Sequence, residues 1–194
     1  MGGGRLSNIQ ITQMGEGIVF ERGHDLLAKD LQISSCLGAG IWIKKGSGAH
    51  RIDGHIWSCG KDNISTGVQC DGGAHFQFLE IDSCFGRGLE VNTPGVTAGH
   101  LHLIGCNKYN GEESIRVNNH TFSVAKLTGT VLNGKTGIHF TVRGTRAQID
   151  VSMRGGPESR AIFSEGYQNR ITGTIYDIGT ACELGGQRAV SGCS

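Results

Sequence analysis

The sequence predicts an all-β chain wound as a single-stranded parallel β-helix of about eight coils, and three observations indicate this architecture. First, one unit recurs along the 194 residues: an apolar-x-apolar segment, a small turn, a second apolar-x-apolar segment and another turn. Second, apolar residues alternate with period two inside the units, as they do in strands and not in helices. Third, the second segments start about 20 to 27 residues apart, a period typical of solenoids, at Gly17, Gly40, Gly67, Gly88, Ser114, Gly137, Arg160 and Thr180.

The composition is that of one folded domain spanning residues 1–194, and it excludes several other classes of protein. The chain has 33 glycines but only 2 prolines, which argues against a disordered linker, and it lacks the Gly-X-Y period of collagen. The formal net charge of +1 predicts no nucleic-acid partner. No apolar run reaches the roughly 18 residues of a membrane span, and MGGGRLSNIQ lacks the apolar core of a signal peptide.

The stretch LQISSCLGAGIWIKKG shows how one coil is built. Gly40 allows a tight corner at which a Cβ would be strained. Ile41 and Ile43 are expected to point into the core, and Trp42 between them is expected to point outward. Cys36 is expected to face inward at the preceding bend, in a column that continues through Met14, Cys59, Cys84, Cys106 and Leu132.

The seven cysteines lack the CxxC pairs of a zinc site. The column of Cys36, Cys59, Cys84 and Cys106 is interpreted as core packing of reduced thiols, which are small and polarisable. Because stacked neighbours would lie within Cα reach of a disulfide, a redox role is the alternative. Cys70 and Cys182 are also predicted to face inward, whereas the pattern predicts nothing for Cys193.

The repeated strands GIVF, GIWI, GLEV and GIHF resemble the coils of the right-handed parallel β-helix proteins of the pectin-lyase-like superfamily, from about Asn8 to Gly186. That superfamily includes pectate lyases, polygalacturonases, mannuronan epimerases and phage tailspike depolymerases. The resemblance implies a right-handed solenoid that handles a polysaccharide on the sheet carrying the G-I-x-I strand. A tailspike type of protein would belong to a virion or an extracellular setting.

The sequence also departs from the superfamily. It lacks the Asn-Thr-Asp, Asp-Asp, Gly-His-Gly and Arg-Ile-Lys motifs of polygalacturonases, of which Arg51-Ile52-Asp53 is only a fragment, and the Asp-Pro-His-Glu motif of mannuronan epimerases. No catalytic residue is therefore transferred from the family. No amphipathic segment caps the ends, so we expect a homotrimer or a longer chain to cover them, as in tailspikes.

Outward positions of the G-I-x-I sheet form two predicted rows. One row is Val19, Trp42, Gln69, Glu90, Arg116, His139 and Ile162, and the next is Glu21, Lys44, Asp71, Asn92, Asn118, Thr141 and Ser164. An aromatic ring that can stack beside amides that can hydrogen-bond suits a sugar chain. The predicted substrate-binding residues are Trp42, Lys44, Gln69, Asn92 and Asn118.

Four residues of these rows are the candidate catalytic set. Asp71 and Glu90 lie on adjacent coils, roughly 8 Å apart at Cα by strand geometry, which is compatible with an acid and a base in glycoside hydrolysis. Alternatively, Arg116 or His139 would serve a lyase, as a base near a uronate. An exposed ladder of charges without chemistry is the structural alternative. No cofactor is predicted.

The sequence therefore predicts a polysaccharide-binding and polysaccharide-degrading β-helix, similar to a tailspike depolymerase with hydrolase or lyase activity. A non-catalytic structural or adhesion rod and a uronan epimerase-like enzyme are the alternatives.

The sheet before the cysteine bend offers a rival site. His55, Glu80 and His102 lie on successive strands and could hold a divalent metal, although exposed mixed columns are common on such solenoids. Trp57 beside Asp82 is a possible second sugar patch or subunit contact. Five further histidines are interpreted as turn residues at one corner: His24, His50, His75, His100 and His120. Asn63-Ile64-Ser65 and Asn119-His120-Thr121 match the glycosylation pattern.

Overall fold

The chain folds as an all-β parallel solenoid of about seven turns. A computed structural model describes residues 3–62, 65–108, 113–119, 121–141, 146–165 and 169–184. These residues form strands, turns and bends, and none of them is helical. Accordingly, the described part of the chain has no helix with the length and apolar character that crossing a membrane requires.

Two parallel sheets run along the solenoid, and every strand pairs with the strand one turn away. Within the described residues, and with strands numbered in chain order, the long-strand sheet consists of β1 (Arg5–Thr12), β4 (Leu27–Ser34), β7 (His50–Trp57), β9 (Ala74–Asp82), β11 (Val96–Ile104), β13 (Thr121–Thr130), β15 (Arg146–Arg154) and β17 (Arg170–Tyr176). The short-strand sheet consists of β2 (Ile18–Phe20), β5 (Ile41–Ile43), β8 (Val68–Cys70), β10 (Leu89–Val91), β12 (Glu113–Val117), β14 (Thr136–Phe140), β16 (Arg160–Ser164) and β18 (Thr180–Leu184). A third, two-stranded sheet pairs β3 (Gly23–His24) with β6 (Ser47–Gly48).

The core lies between the two large sheets and is filled by alternate side chains of both. Ile41 and Ile43 are fully buried, whereas Trp42 between them is only half-buried on the outer surface. The short strands β8, β10, β12, β14 and β16 repeat this alternation. Burial of each large aliphatic side chain contributes about 1.5–3 kcal/mol. The period-two pattern of the sequence therefore correctly predicted which side chains face inward in most coils.

Gly40 lies where two turns approach each other closely. A Cβ there would press on Ile56 and would lie 3.2 Å from the Sγ of Cys59 in the next turn. The following turns repeat this contact, with Gly67 against Cys84 and Gly88 against Cys106. Glycine and cysteine recur together because the missing side chain of one turn leaves the space that the thiol of the next turn occupies.

The four stacked cysteines, Cys36, Cys59, Cys84 and Cys106, are buried and free, as predicted for core packing. Burial raises the pKa of the Cys59 thiol to about 12. Cys70 is also buried, and Cys182 packs half-buried against the core. Such thiols react poorly, because the thiolate is the reactive form.

The two predicted ends of the cysteine column differ from the structure. Met14 is 55% exposed, because no described turn packs on its outer side. Leu132 is only half-buried, and Val131, one residue earlier, is buried in the core.

The predicted alignment is wrong by one residue in the last two units. Ile138 pairs with Ile162 and then with Cys182, so the place of the corner glycine is taken by Ala161 and Ala181. Most other units have glycine at this position. Because these two units have alanine instead, the sequence pattern did not identify the corner, and the predicted start fell one residue too early.

The shift changes which side chains face outward. Phe163, and not Ile162, continues the first outward row, because Ile162 is fully buried. Ser164 is also buried, and Glu165 continues the second row by hydrogen-bonding its amide to the carbonyl of Phe140.

Candidate functional site

The outer face of the short-strand sheet brings the predicted site residues together. Its first column runs through directly paired positions: Val19, Trp42, Gln69, Glu90, Arg116, His139, Phe163 and Glu183. A second column follows two residues later in each turn: Glu21, Lys44, Asp71, Asn92, Asn118, Thr141 and Glu165. Because paired strands lie about 4.8 Å apart, side chains of neighbouring turns contact each other along the solenoid axis. We call these two columns the polar face.

Asp71 joins three consecutive turns of the polar face. Its Oδ2 accepts hydrogen bonds from Trp42 Nε1 at 2.7 Å and from Gln69 Nε2 at 2.9 Å. Its Oδ1 accepts one from Asn92 Nδ2 at 2.8 Å. All three donors are neutral, and no described cation pairs with this carboxylate. A carboxylate has about four lone-pair sites, so Asp71 retains capacity to accept a further hydrogen bond.

Asn118 has a similar linking role one turn beyond Asn92. Its Nδ2 donates to Asn92 Oδ1 at 2.7 Å and to Glu90 Oε1 at 3.2 Å. Its Oδ1 accepts from Thr141 Oγ1 at 2.7 Å and from Arg116 Nε at 3.1 Å. The bonds of Asp71 and Asn118 therefore form one continuous network across the middle of the polar face. Such a network fixes the side-chain orientations before a ligand arrives.

Glu113 is a candidate residue that sequence reasoning missed. It precedes the corner residue Ser114 and is only 4% exposed. Its Oε1 accepts a hydrogen bond from Arg87 Nε at 2.5 Å and lies 3.5 Å from Arg116 Nη1, while Oε2 lies 3.7 Å from His139 Nδ1. One signal was available: Arg87 and Glu113 both directly precede the corner of adjacent units, so opposite charges stack.

The cluster around Glu113 alters the protonation of two groups. Burial by itself would raise the pKa of Glu113, but hydrogen bonds from His139 and Arg87 and the charges of Arg87 and Arg116 lower it to about 2. The hydrogen bond to Glu113 raises the pKa of His139, burial opposes this, and Glu165 raises it further. A protonated imidazole cannot accept a proton, so His139 can act as a general base only above its raised pKa.

Aromatic rings flank the network at both ends. At one end, Lys44 Nζ lies 4.9 Å from the centroid of the Trp42 ring and pairs with Glu21 at 2.6 Å. At the other end, Phe163 packs on His139 with ring centroids 4.7 Å apart. Five strand steps separate Trp42 from Phe163, which corresponds to about 24 Å along the axis.

The rival cluster on the long-strand sheet lies on paired strands, but its histidines make different contacts. His55 Nε2 lies 3.5 Å from Glu80 Oε1, and its ring packs 4.6 Å from that of Trp57. His102 instead hydrogen-bonds to Thr128 Oγ1 of the next turn at 2.6 Å. Among the residues that the structure describes, no group of three or more His, Cys, Asp or Glu side chains is placed to hold a metal ion.

The corner histidines lie in strands and not in turns, because the strands extend further than predicted; this applies to His24, His50, His75 and His100. His50 is 2% exposed, and its Nε2 lies 2.5 Å from Ser47 Oγ. Burial, followed by the charge of His24, lowers the pKa of His50. Some predicted features lie outside the described residues: Asn63, Ile64, His120 and Cys193.

Comparisons with known proteins assign no family. No family model matches the chain, and no solved structure matches it. The imidazolonepropionase of Acidiphilium cryptum (strain JF-5) is 28% identical over 170 residues, covering 85% of this chain and 38% of that protein. The chain thus spans well under half the length of this curated relative. The comparisons add no support for a pectin-lyase-like or tailspike relationship, which remains a resemblance of the coil pattern.

Proposed function

We propose that the polar face binds a polysaccharide that lies along the solenoid axis, across successive strands. The observation that supports this most directly is the continuous hydrogen-bonded network with an aromatic ring near each end. Sugar rings present hydroxyl groups at their edges and apolar patches on their faces, so amides, carboxylates and aromatic rings are suitable partners. The proposed binding residues are Trp42, Lys44, Gln69, Asn92 and Asn118.

The network also supports binding by limiting the cost of ordering side chains. Immobilising a flexible side chain in an interface costs about 0.5–1.5 kcal/mol. Asp71, Asn92 and Asn118 already hold one another in place across three turns. A ligand would therefore meet a surface that is ordered in advance, and a repeating glycan would meet a repeating set of partners.

Cleavage of the glycan would be a further property of the same face, carried by Asp71 and Glu90 or by Arg116 and His139. The contacts favour binding over chemistry, because each of these groups already uses lone pairs or protons on a neighbour. Asp71 accepts three hydrogen bonds, while Arg116 and His139 both contact buried Glu113. Binding is therefore the primary proposal. We place it in a tailspike-like protein, in which a homotrimer or a longer chain covers the ends of the solenoid.

The test is a binding and degradation screen against bacterial capsules, O-antigens and plant glycans. Binding is measured by calorimetry, and products are followed as new reducing ends and as unsaturated uronate. Trp42→Ala should abolish binding, whereas Tyr176→Ala, an exposed aromatic on the other sheet, should leave it intact. Loss of binding in Trp57→Ala and not in Trp42→Ala would move the site to the long-strand sheet.

The products distinguish the chemistries. Reducing ends alone would indicate hydrolysis and implicate Asp71 with Glu90. Unsaturated uronate would indicate elimination and implicate Arg116 with His139. A folded sample that binds none of the glycans would overturn the proposal and favour a structural rod.

A further inference from the structure

The charges of the polar face indicate which glycans it accepts. Every cation in its two described columns already has a carboxylate partner: Lys44 with Glu21 at 2.6 Å, Arg116 with Glu113 at 3.5 Å, and His139 with Glu165 at 3.1 Å. The two flanking arginines are paired as well, Arg87 with Glu113 at 2.5 Å and Arg160 with Glu183 at 2.8 Å. No described basic side chain of this face is therefore left to neutralise a charge on a ligand.

The carboxylates are not balanced in the same way. Asp71, near the middle of the face, accepts hydrogen bonds only from neutral Trp42, Gln69 and Asn92. Glu90 is 20% exposed; its Oε2 lies 3.5 Å from Arg87 Nη1, which Glu113 shares, and its Oε1 accepts from Asn118, so it adds acceptor oxygens beside the network. The middle of the face is thus rich in hydrogen-bond acceptors and poor in free positive charge.

A uronate carboxylate on this surface would lose water without gaining a cation. It would lie close to Asp71, or it would have to break an existing ion pair, and both outcomes are unfavourable. Like charges about 4 Å apart repel by an amount that corresponds to several-fold in affinity in water and more near a protein surface. The hydroxyl groups of an uncharged sugar can instead donate to the oxygens of Asp71 and Glu90.

We infer that the polar face selects an uncharged glycan and discriminates against uronic-acid polymers. This inference rests on the proposed function, which it deepens by naming the substrate class. It differs from the expectation raised by the coil resemblance, where acidic polysaccharides are common ligands.

The experiment compares each acidic glycan of the screen with its own methyl-esterified form, alongside neutral glycans, by calorimetry at low and high salt. We expect the ligands to be neutral, with affinities that do not change with salt, because no ligand charge is screened. An acidic glycan that binds the wild-type protein and loses affinity on esterification would overturn the inference while leaving the proposed function standing. Absence of binding to every glycan would overturn the proposed function itself.

Asp71→Asn supplies an independent test, because it removes the charge and keeps a side chain of the same shape. The variant should improve the affinity for a uronate relative to its methyl ester by roughly tenfold. Asp150→Asn is the matched control on the exposed surface of the long-strand sheet and should leave this ratio unchanged. An unchanged ratio in a folded Asp71→Asn protein would show that this charge does not select the ligand.

Discussion

Glu113→Gln is expected to weaken the fold through the cations that it leaves without a partner. In the folded protein the pKa of Glu113 is about 2, against an ordinary value of 4.5. This difference corresponds to about 3 kcal/mol of folding free energy at neutral pH. Glutamine can hydrogen-bond one neighbour but cannot balance the charges of Arg87 and Arg116. The expected loss of about 3 kcal/mol agrees with the usual cost of breaking a buried ion pair.

The loss should depend on pH in one direction. A carboxyl whose folded pKa lies below its unfolded pKa stabilises fully above the unfolded value, and this stabilisation is lost as the pH falls from 4.5 towards about 2. Urea denaturation followed by circular dichroism should therefore separate wild type and Glu113→Gln widely near neutral pH. The two midpoints should converge near the folded pKa.

A neighbouring carboxylate provides the control for this prediction. Glu165 also contacts His139, but its side chain is 46% exposed, so Glu165→Gln should cost at most about 1 kcal/mol. Equal midpoints for wild type and Glu113→Gln near neutral pH would refute the reasoning. A gap that persisted unchanged to low pH would also refute it, since packing and not charge would then be responsible.

Three further predictions concern the scaffold. Gly129 has a φ of +157°, and a Cβ there would collide with the backbone carbonyl of Leu103, so Gly129→Ala should lower the urea midpoint strongly. Gly15→Ala, with nothing within 4 Å, should not, and similar effects of the two would contradict the steric argument. Burial lowers the pKa of His50, so the contribution of the neutral imidazole to stability is full above the unfolded value of 6.5 and is lost as the pH falls from there through the lower folded pKa. Wild type should therefore lose more stability than His50→Gln on mild acidification. Parallel curves of stability against pH for the two proteins would contradict this. The buried cysteine column should resist thiol labelling until urea is added, because burial raises the pKa of Cys59 to about 12. Peptide mapping identifies which cysteines are labelled, and prompt labelling of the column in the folded protein would contradict the prediction.

The sequence predicted the solenoid and the first six corners because two signals coincided there. Period-two alternation identified the strands, and a small residue, Gly or Ser, marked the start of each short strand. The close approach at Gly40 explains why that signal is strong: a side chain there would displace Ile56 and Cys59. Where Ala161 and Ala181 replace the glycine, the alignment slipped by one residue, and each slip exchanges inward and outward side chains.

The polar face was predicted as a set of columns, but its contacts were not. The alternation placed Asp71 and Asn118 on the outer surface, and the register of the strands confirms that placement. It did not reveal that Asp71 would accept hydrogen bonds from three neutral donors, because hydrogen bonding depends on rotamers and not on period. Glu113 was missed because the position before the corner residue Ser114 looks like part of a turn when each unit is considered alone.

In a parallel solenoid the electrostatic partner of a residue lies one turn away, at the same position of the next unit. Arg87 meets Glu113, Lys44 meets Glu21, and Arg160 meets Glu183, each across 23 or 26 residues of sequence. A short stretch of sequence cannot show such pairs, because the partners are more than 20 residues apart. When the repeating units are aligned, the pairs become visible as opposite charges at equivalent positions. In the same column Asp71 lies between Lys44, which pairs with Glu21, and the neutral Asn92, so neither neighbour forms an ion pair with it. The pairing of charges from which we infer selectivity for an uncharged glycan can therefore be recognised in the sequence, but only by comparing equivalent positions of successive coils.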